Sequence, residues 1–347
     1  VLLTGNTGFK GAWLSLWLLD LGAEVTGLAL APGEPSLYAL AGLAADVPHD
    51  AVDVRDAAAV QAAVAARRPE VVIHMAAQAF VRRSFRAPLE TYATNVMGTA
   101  HVLEAVRLAP APPRVVLNVT SDKCYENREW EWGYREDEPM GGFDPYSNSK
   151  GASELVTSAY RSSFFSDPDG VRLASARAGN VIGGGDWGED RLMADIMRGA
   201  LEGAPIAIRR PDAIRPWQHV LNPLSGYLRL CEALWADPAH ATAYNFGPAD
   251  NDARPVQWIV DRIGERWPDA LDFQVDPGPH PHEATWLKLD SSRAAARLGW
   301  RAGWTLDEGL DAIADWYAAY RAGDDVRATT LTQIRAFAAA AAGAARS

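Results

Sequence analysis

Val1-Leu2-Leu3-Thr4-Gly5-Asn6-Thr7-Gly8-Phe9-Lys10-Gly11 opens the chain, and the order of residue types in it decides the fold. The first four residues read as a buried strand. Gly5, Gly8 and Gly11 then form a glycine-rich turn. Residues 12–21 follow with helical periodicity: Leu14, Leu18 and Leu21 share a face, and Gly22 stands where a C-terminal cap belongs. Strand, glycine turn and helix in this order are the context of a dinucleotide-binding fingerprint. The glycines let backbone approach a pyrophosphate, and the helix N-terminus presents aligned N–H groups. The glycine spacing is three and three, not Gly-x-Gly-x-x-Gly. Because the chain begins within an apolar run and without Met, a few further residues are expected upstream.

The alternation continues through the first half. Residues 25–30, 70–75, 114–119 and 172–177 read as strands, and 57–67, 89–108 and 146–163 as helices. Continuous apolar strands separated by helices predict an α/β, Rossmann-type doubly wound parallel sheet. The second half is less regular. It holds a glycine-rich loop at 179–187, short strands at 206–208 and 244–246, and a loop or strand at 215–220. The expected division is a Rossmann domain from 1–178 and 213–250, a smaller α/β substrate-binding lobe from 179–212 and 251–325, and an Ala-rich tail, helical or disordered, from 326–347.

Composition bounds the function. The 347 residues are 48% hydrophobic and 22% charged, as in a folded protein. The charge of 33 − 44 = −11 argues against a nucleic-acid partner. No apolar run approaches the ~20 residues of a membrane span, so no membrane partner is expected. Two cysteines, Cys124 and Cys231, suit neither a disulfide framework nor a four-thiolate zinc site, and a reducing cytoplasm fits best. His280-Pro-His282-Glu283 is the only close histidine cluster, and no metal is expected. Thirteen Trp is a high count, and Trp130, Trp132, Trp187, Trp217 and Trp286 fall in or near the loops, which suits a ligand-lined cleft.

The chemistry is carried by Tyr146-Ser-Asn-Ser-Lys150. The i, i+4 spacing puts phenol and ammonium on one helical face, and a nearby positive charge lowers a phenol's pKa. Such a Tyr can take a proton from a sugar hydroxyl as hydride leaves for a nicotinamide. The motif follows a strand that ends in Thr120-Ser121, and strand carboxyl ends are where ligands bind in such sheets.

Together the glycine turn and Tyr-x-x-x-Lys resemble the extended short-chain dehydrogenase/reductase superfamily. The segments HMAAQ, TNVMGT, NVTSDKCYENREW, PYSNSKG, RAGNVIGGGDW, RPWQHV and NFGP resemble, more closely, its CDP-glucose 4,6-dehydratase family over about residues 1–310. The resemblance implies NAD held by Gly5, Asn6, Thr7, Gly8, Phe9, Lys10 and Gly11. It also implies that Asp53-Val54 lie at the adenine and Ala76, Ala77 and Gln78 along the cofactor, with Asn95, Thr120, Tyr146 and Lys150. It implies that Ser121 and Tyr146 act on the sugar C4 hydroxyl, with Lys150 beside them. Asp122 would protonate the departing C6 hydroxyl. Lys123 stands where dTDP-glucose dehydratases carry the Glu that removes the C5 proton. Asn180, Arg191, Arg215 and His282 would hold the nucleotide diphosphate.

The implied activity is dehydration of CDP-glucose in a cytoplasmic homodimer or homotetramer. A nucleotide-sugar epimerase and a catalytically inactive NAD-binding regulatory protein are the alternatives. One departure stands out. The second strand ends Leu28-Ala29-Leu30-Ala31, with neither the acid expected at a ribose nor an Arg for a 2′-phosphate.

Overall fold

A computed structural model describes residues 1–267, 273–276, 278 and 286–344. Its strands are β1 (Leu2–Thr4), β2 (Thr26–Ala29), β3 (His49–Ala51), β4 (Val71–His74), β5 (Val115–Val119), β6 (Arg172–Arg177), β7 (Val181–Ile182), β8 (Ile206–Ile208), β9 (Ile214–Pro216), β10 (Gln218–His219), β11 (Ala243–Asn245), β12 (Ala253–Pro255) and β13 (Phe273–Val275). Its helices are α1 (Phe9–Asp20), α2 (Leu37–Leu40), α3 (Ala57–Arg67), α4 (Val81–Arg86), α5 (Pro88–Tyr92), α6 (Gly98–Leu108), α7 (Pro145–Ser163), α8 (Leu192–Glu202), α9 (Leu221–Ala236), α10 (Val256–Arg266), α11 (Ser292–Leu298), α12 (Leu306–Ala322) and α13 (Val326–Ala344).

Seven strands form one parallel sheet in the order β11-β6-β5-β4-β1-β2-β3. Both β5 and β6 are buried along their whole length, which is why they read as uninterrupted runs. The strand order reverses at β1, which pairs with β2 on one side and β4 on the other. That switch point opens a crevice beyond the strands' carboxyl ends. Three two-stranded sheets, β7 with β10, β8 with β13 and β9 with β12, lie outside the main sheet. Leu3 and Val115 of the main sheet share one apolar core with Ile206, Ile259 and Leu310.

The segment expected as one helix over 89–108 runs from α5 into α6 through a π-turn at Ala93–Met97 that carries Asn95. Helices α8, α9, α10 and α12 occupy stretches that the sequence reading left irregular. The Ala-rich end is helix α13, packed rather than loose. Phe337 is buried with its ring 5.8 Å from Trp17, and Arg335 pairs with Asp20 of α1. Among the described residues no helix is long and apolar enough to cross a membrane.

Candidate active site

A cleft of about 760 Å³ follows the switch point and collects most of the residues singled out by sequence. At one end lies the glycine turn. Gly5 adopts φ +74°, where a Cβ would stand 2.9 Å from the Ala76 backbone nitrogen, and a Cβ on Gly11 would stand 2.1 Å from the Gly5 carbonyl oxygen. Gly8 caps α1 without any side-chain acceptor, and no acid stands in the first turn. This leaves a helix N-terminus open to an anion, so the turn fits the pyrophosphate of a dinucleotide.

Gly5, Thr7, Gly8, Phe9, Lys10 and Gly11 line the cleft. Asn6 departs from the expectation: its side chain turns under β2, against Gly27 and 3.3 Å from His49 Nδ1. Asp53 and Val54 line the cleft, but both Asp53 oxygens are taken by Arg55, whose hydrogen bonds hold the carboxyl below its usual range. Leu30 at the end of β2 is exposed on the cleft wall, so no carboxylate replaces the missing acid there.

Ala76, Ala77 and Gln78 line the cleft beyond β4. His74 is buried behind them, bonded to Thr4 Oγ1 (2.7 Å), and burial lowers it to about 3. Asn95 does not reach the cleft. Its amide is spent on the Gln78 backbone N (2.8 Å) and O (3.0 Å) and on Ser149 Oγ (2.8 Å), which ties the Gln78 loop to α7 next to Lys150.

The catalytic candidates meet where β5 ends. Ser121 caps a short 3₁₀ turn, Asp122–Cys124, by accepting from Lys123 N. The Ser121 hydroxyl donates to Asp122 Oδ1 (2.9 Å), and Asn180 Nδ2 donates to Oδ2 (3.2 Å). Asp122 is buried, and Gly179 makes room for it: a Cβ there would lie 1.9 Å from Oδ2. Asp144 caps α7 through Ser147 N, which presents Tyr146 and Lys150 to the same space. Lys123 also faces the cleft.

The electrostatics depart from the sequence expectation. Burial raises the Tyr146 phenol to about 12, against the pull of the Ser121 hydrogen bond and the Arg191 charge. The lowering expected from the Tyr146/Lys150 spacing is therefore not found, because desolvation penalises the phenolate more than its neighbours favour it. Lys150 is itself lowered to about 8 by burial and stays largely protonated at neutral pH. Lys10 is lowered to about 7 by burial and by the charges of Lys150 and Arg191.

On the far wall, Arg191 is committed to the buried Asp186 (2.9 Å) and stacks on Phe80. Asn180 and Arg215 line the cleft, with Arg215 in β9. His282, with His280 and Glu283, lies outside the described residues. Of the loop tryptophans, Trp187 and Trp217 line the cleft, whereas Trp130 and Trp132 pack together near Tyr134.

Sequence reasoning missed the support beneath Ser121. Glu154, 4% exposed, accepts from Thr120 Oγ1, Ser175 Oγ and Arg177 Nη2 (2.8 Å), and Arg177 donates on to Tyr125. Glu154 continues the 146, 150, 154 series along α7, a signal the i, i+4 pattern carried.

The model of the family described as GDP-mannose 4,6 dehydratase matches residues 2–313. The CDP-glucose 4,6-dehydratase of Salmonella typhimurium is 52% identical over 94% of this chain and 92% of its own length. The dTDP-glucose 4,6-dehydratase of Xanthomonas campestris is 26% identical over 91% of this chain and 92% of its own. Among solved structures, the UDP-glucose 4-epimerase of Thermus thermophilus, in complex with NAD, superposes with a TM-score of 0.78. It is 25% identical, over 91% of this chain and 98% of that one.

Proposed function

Since the chain belongs to the GDP-mannose 4,6-dehydratase family, we propose that it is an NAD-dependent hydro-lyase that dehydrates CDP-glucose to CDP-4-keto-6-deoxyglucose. The observation that carries this reading is near-full-length identity of 52% to a CDP-glucose 4,6-dehydratase. The gathering of Ser121, Asp122, Lys123, Tyr146 and Lys150 in one cleft supports it.

The glycine turn with Thr7 and Phe9 would hold NAD, and the bound cofactor would supply reversible hydride acceptance without net consumption. Tyr146 takes the C4 hydroxyl proton while Ser121 hydrogen-bonds the same oxygen. Lys150 keeps a positive charge beside the phenol. The ketone acidifies the C5 hydrogen, and Lys123, acting as its neutral amine, takes that proton and becomes an ammonium. Asp122, steadied by Ser121 and Asn180, protonates the departing C6 hydroxyl. Arg215 contacts the nucleotide diphosphate, and Arg191 fixes the Asp186 loop beside it.

An epimerase on this fold needs Tyr146 but has no work for Asp122, whose carboxylate is held in place on both oxygens. The substrate-binding lobe is residues 179–212 and 251–325. A cytoplasmic homodimer or homotetramer is part of the reading. Exposed Leu89, Met97 and Leu155, on elements that pack on one another, supply apolar surface for it.

The test is kcat/KM for CDP-, dTDP-, UDP- and GDP-glucose. CDP-glucose leads by a wide margin, because a wrong base leaves buried polar groups unpaired. A lead for dTDP-glucose overturns the base assignment.

A further inference from the structure

Two arginines from different parts of the chain converge on one oxygen in the cleft. Arg82 of α4 follows the Gln78 loop, and Arg209 follows β8. Arg82 Nη1 lies 3.3 Å and Arg209 Nη1 3.4 Å from the same Asp190 Oδ1. All three residues line the cleft and are partly exposed to it. Asp190 stands on the loop between β7 and α8 in the left-handed region, φ +57°.

The neighbouring pair behaves differently. Asp186 is 4% exposed, accepts twice from Arg191 and also receives Gly188 N. That pair is built into the wall. The Asp190 bridge is longer, more exposed and shared between two guanidinium groups, so its carboxylate is the exchangeable one.

Guanidinium groups bind carboxylate and phosphate oxygens by the same charge-assisted geometry. We propose that Arg82 and Arg209 form a two-sided clamp for a phosphate of the nucleotide-sugar diphosphate, and that Asp190 occupies the clamp as an internal anion until substrate displaces it. This inference deepens the proposed function and rests on it for the substrate class. Arg209 leads directly from β8 toward Arg215, whereas the glycine turn provides its own site for the dinucleotide pyrophosphate. The clamp is therefore assigned to the nucleotide sugar and not to NAD. Asp190 then acts as a built-in competitor that weakens binding and guards the clamp against stray anions.

Calorimetric titration of the full chain with CDP, cytidine and NAD tests this. Asp190→Asn binds CDP several-fold more tightly than the parent, with cytidine and NAD unchanged. Arg82→Gln and Arg209→Gln each weaken CDP by roughly tenfold or more, the scale of a lost charged hydrogen bond, again with cytidine and NAD unchanged. Arg209→Lys retains part of the affinity. Thermal melts identify any variant that fails to fold, and Asp190→Asn, on a cleft loop, remains informative when an arginine variant does not.

Unchanged or weaker CDP binding by Asp190→Asn overturns the displacement. It means the bridge is a strut that persists with ligand. Loss of NAD rather than CDP affinity in the arginine variants overturns the assignment to the nucleotide sugar. If the parent ignores CDP but the same pattern appears with another nucleoside diphosphate, the clamp stands and the cytidine reading fails.

Discussion

Gly179→Ala places a methyl group where the Asp122 carboxylate now lies. The added Cβ would stand 1.9 Å from Oδ2, 2.0 Å from Cγ and 2.2 Å from Oδ1. Nothing flexible lies between them, so the carboxylate must move. Moving it breaks the hydrogen bonds from Ser121 (2.9 Å) and Asn180 (3.2 Å). Each is a buried hydrogen bond worth about 0.5–1.5 kcal/mol, so the displaced carboxyl group is poorly held anywhere else in the cleft. Losing a positioned general acid costs about 10²–10⁴-fold in the step it serves. The expected result is a dehydration rate down by that factor, with C4 oxidation retained within about tenfold. Rapid-quench mass spectrometry follows water loss, and reduced-nicotinamide absorbance in a single turnover follows C4 oxidation. Asp122→Asn, which keeps the side chain's size, should give the same split. A thermal melt checks that both variants fold. Normal dehydration by Gly179→Ala, or equal loss of both steps in Asp122→Asn, would refute the placement of Asp122 in the elimination step.

Three further outcomes are expected. Tyr146→Phe keeps the fold but lowers C4 oxidation by about 10²–10⁴-fold. In the parent enzyme that step speeds up as pH rises from neutral, because the buried phenol stands near 12, and the profile bends near 8 where Lys150 loses its proton; a pH-independent rate contradicts this. Lys123→Met still oxidises C4 but releases little dehydrated product, and exchange of the C5 hydrogen with heavy water, followed by NMR, is lost; failure to oxidise at all moves Lys123 into the redox step. Glu154→Gln leaves the buried Arg177 charge uncompensated and costs about 3–5 kcal/mol in urea unfolding. Burial pushes Glu154 up, but the charge of Arg177 and hydrogen bonds from Arg177, Thr120 and Ser175 outweigh it and leave the carboxyl below its ordinary value of 4.5. Its stabilisation is therefore present above that value and lost as pH falls through the folded pKa, so the variant should show a smaller acid-side loss than the parent.

The central strands β1, β4, β5 and β6 were legible because they are buried almost throughout, whereas the half-exposed edge strand β3 was not read. Helix α3 has the expected ends, 57–67, with Asp56 as its cap. Helices α8 and α10 went unread because they lie among loops and short strands, where local period competes with Gly and Pro punctuation. That Tyr146, Lys150, Ser121 and Asp122 would share one cleft was legible from spacing and resemblance. The directions of the Asn6 and Asn95 side chains were not legible, because a sequence does not say which way a polar side chain turns: one lies under Gly27, the other on the Gln78 backbone. The direction of the Tyr146 shift was missed for a related reason. Neighbouring charge can be inferred from i, i+4 spacing, but burial depends on elements far apart in the chain. The Arg82–Asp190–Arg209 bridge joins residues 108 and 19 positions apart, and no local pattern announces it.

The most direct test of the account is the mass of the product formed from CDP-glucose by the NAD-loaded chain. The account predicts a product lighter by one water, with one solvent hydrogen placed at C5 when the reaction runs in heavy water. A product of unchanged mass with inverted C4 would contradict it and identify an epimerase.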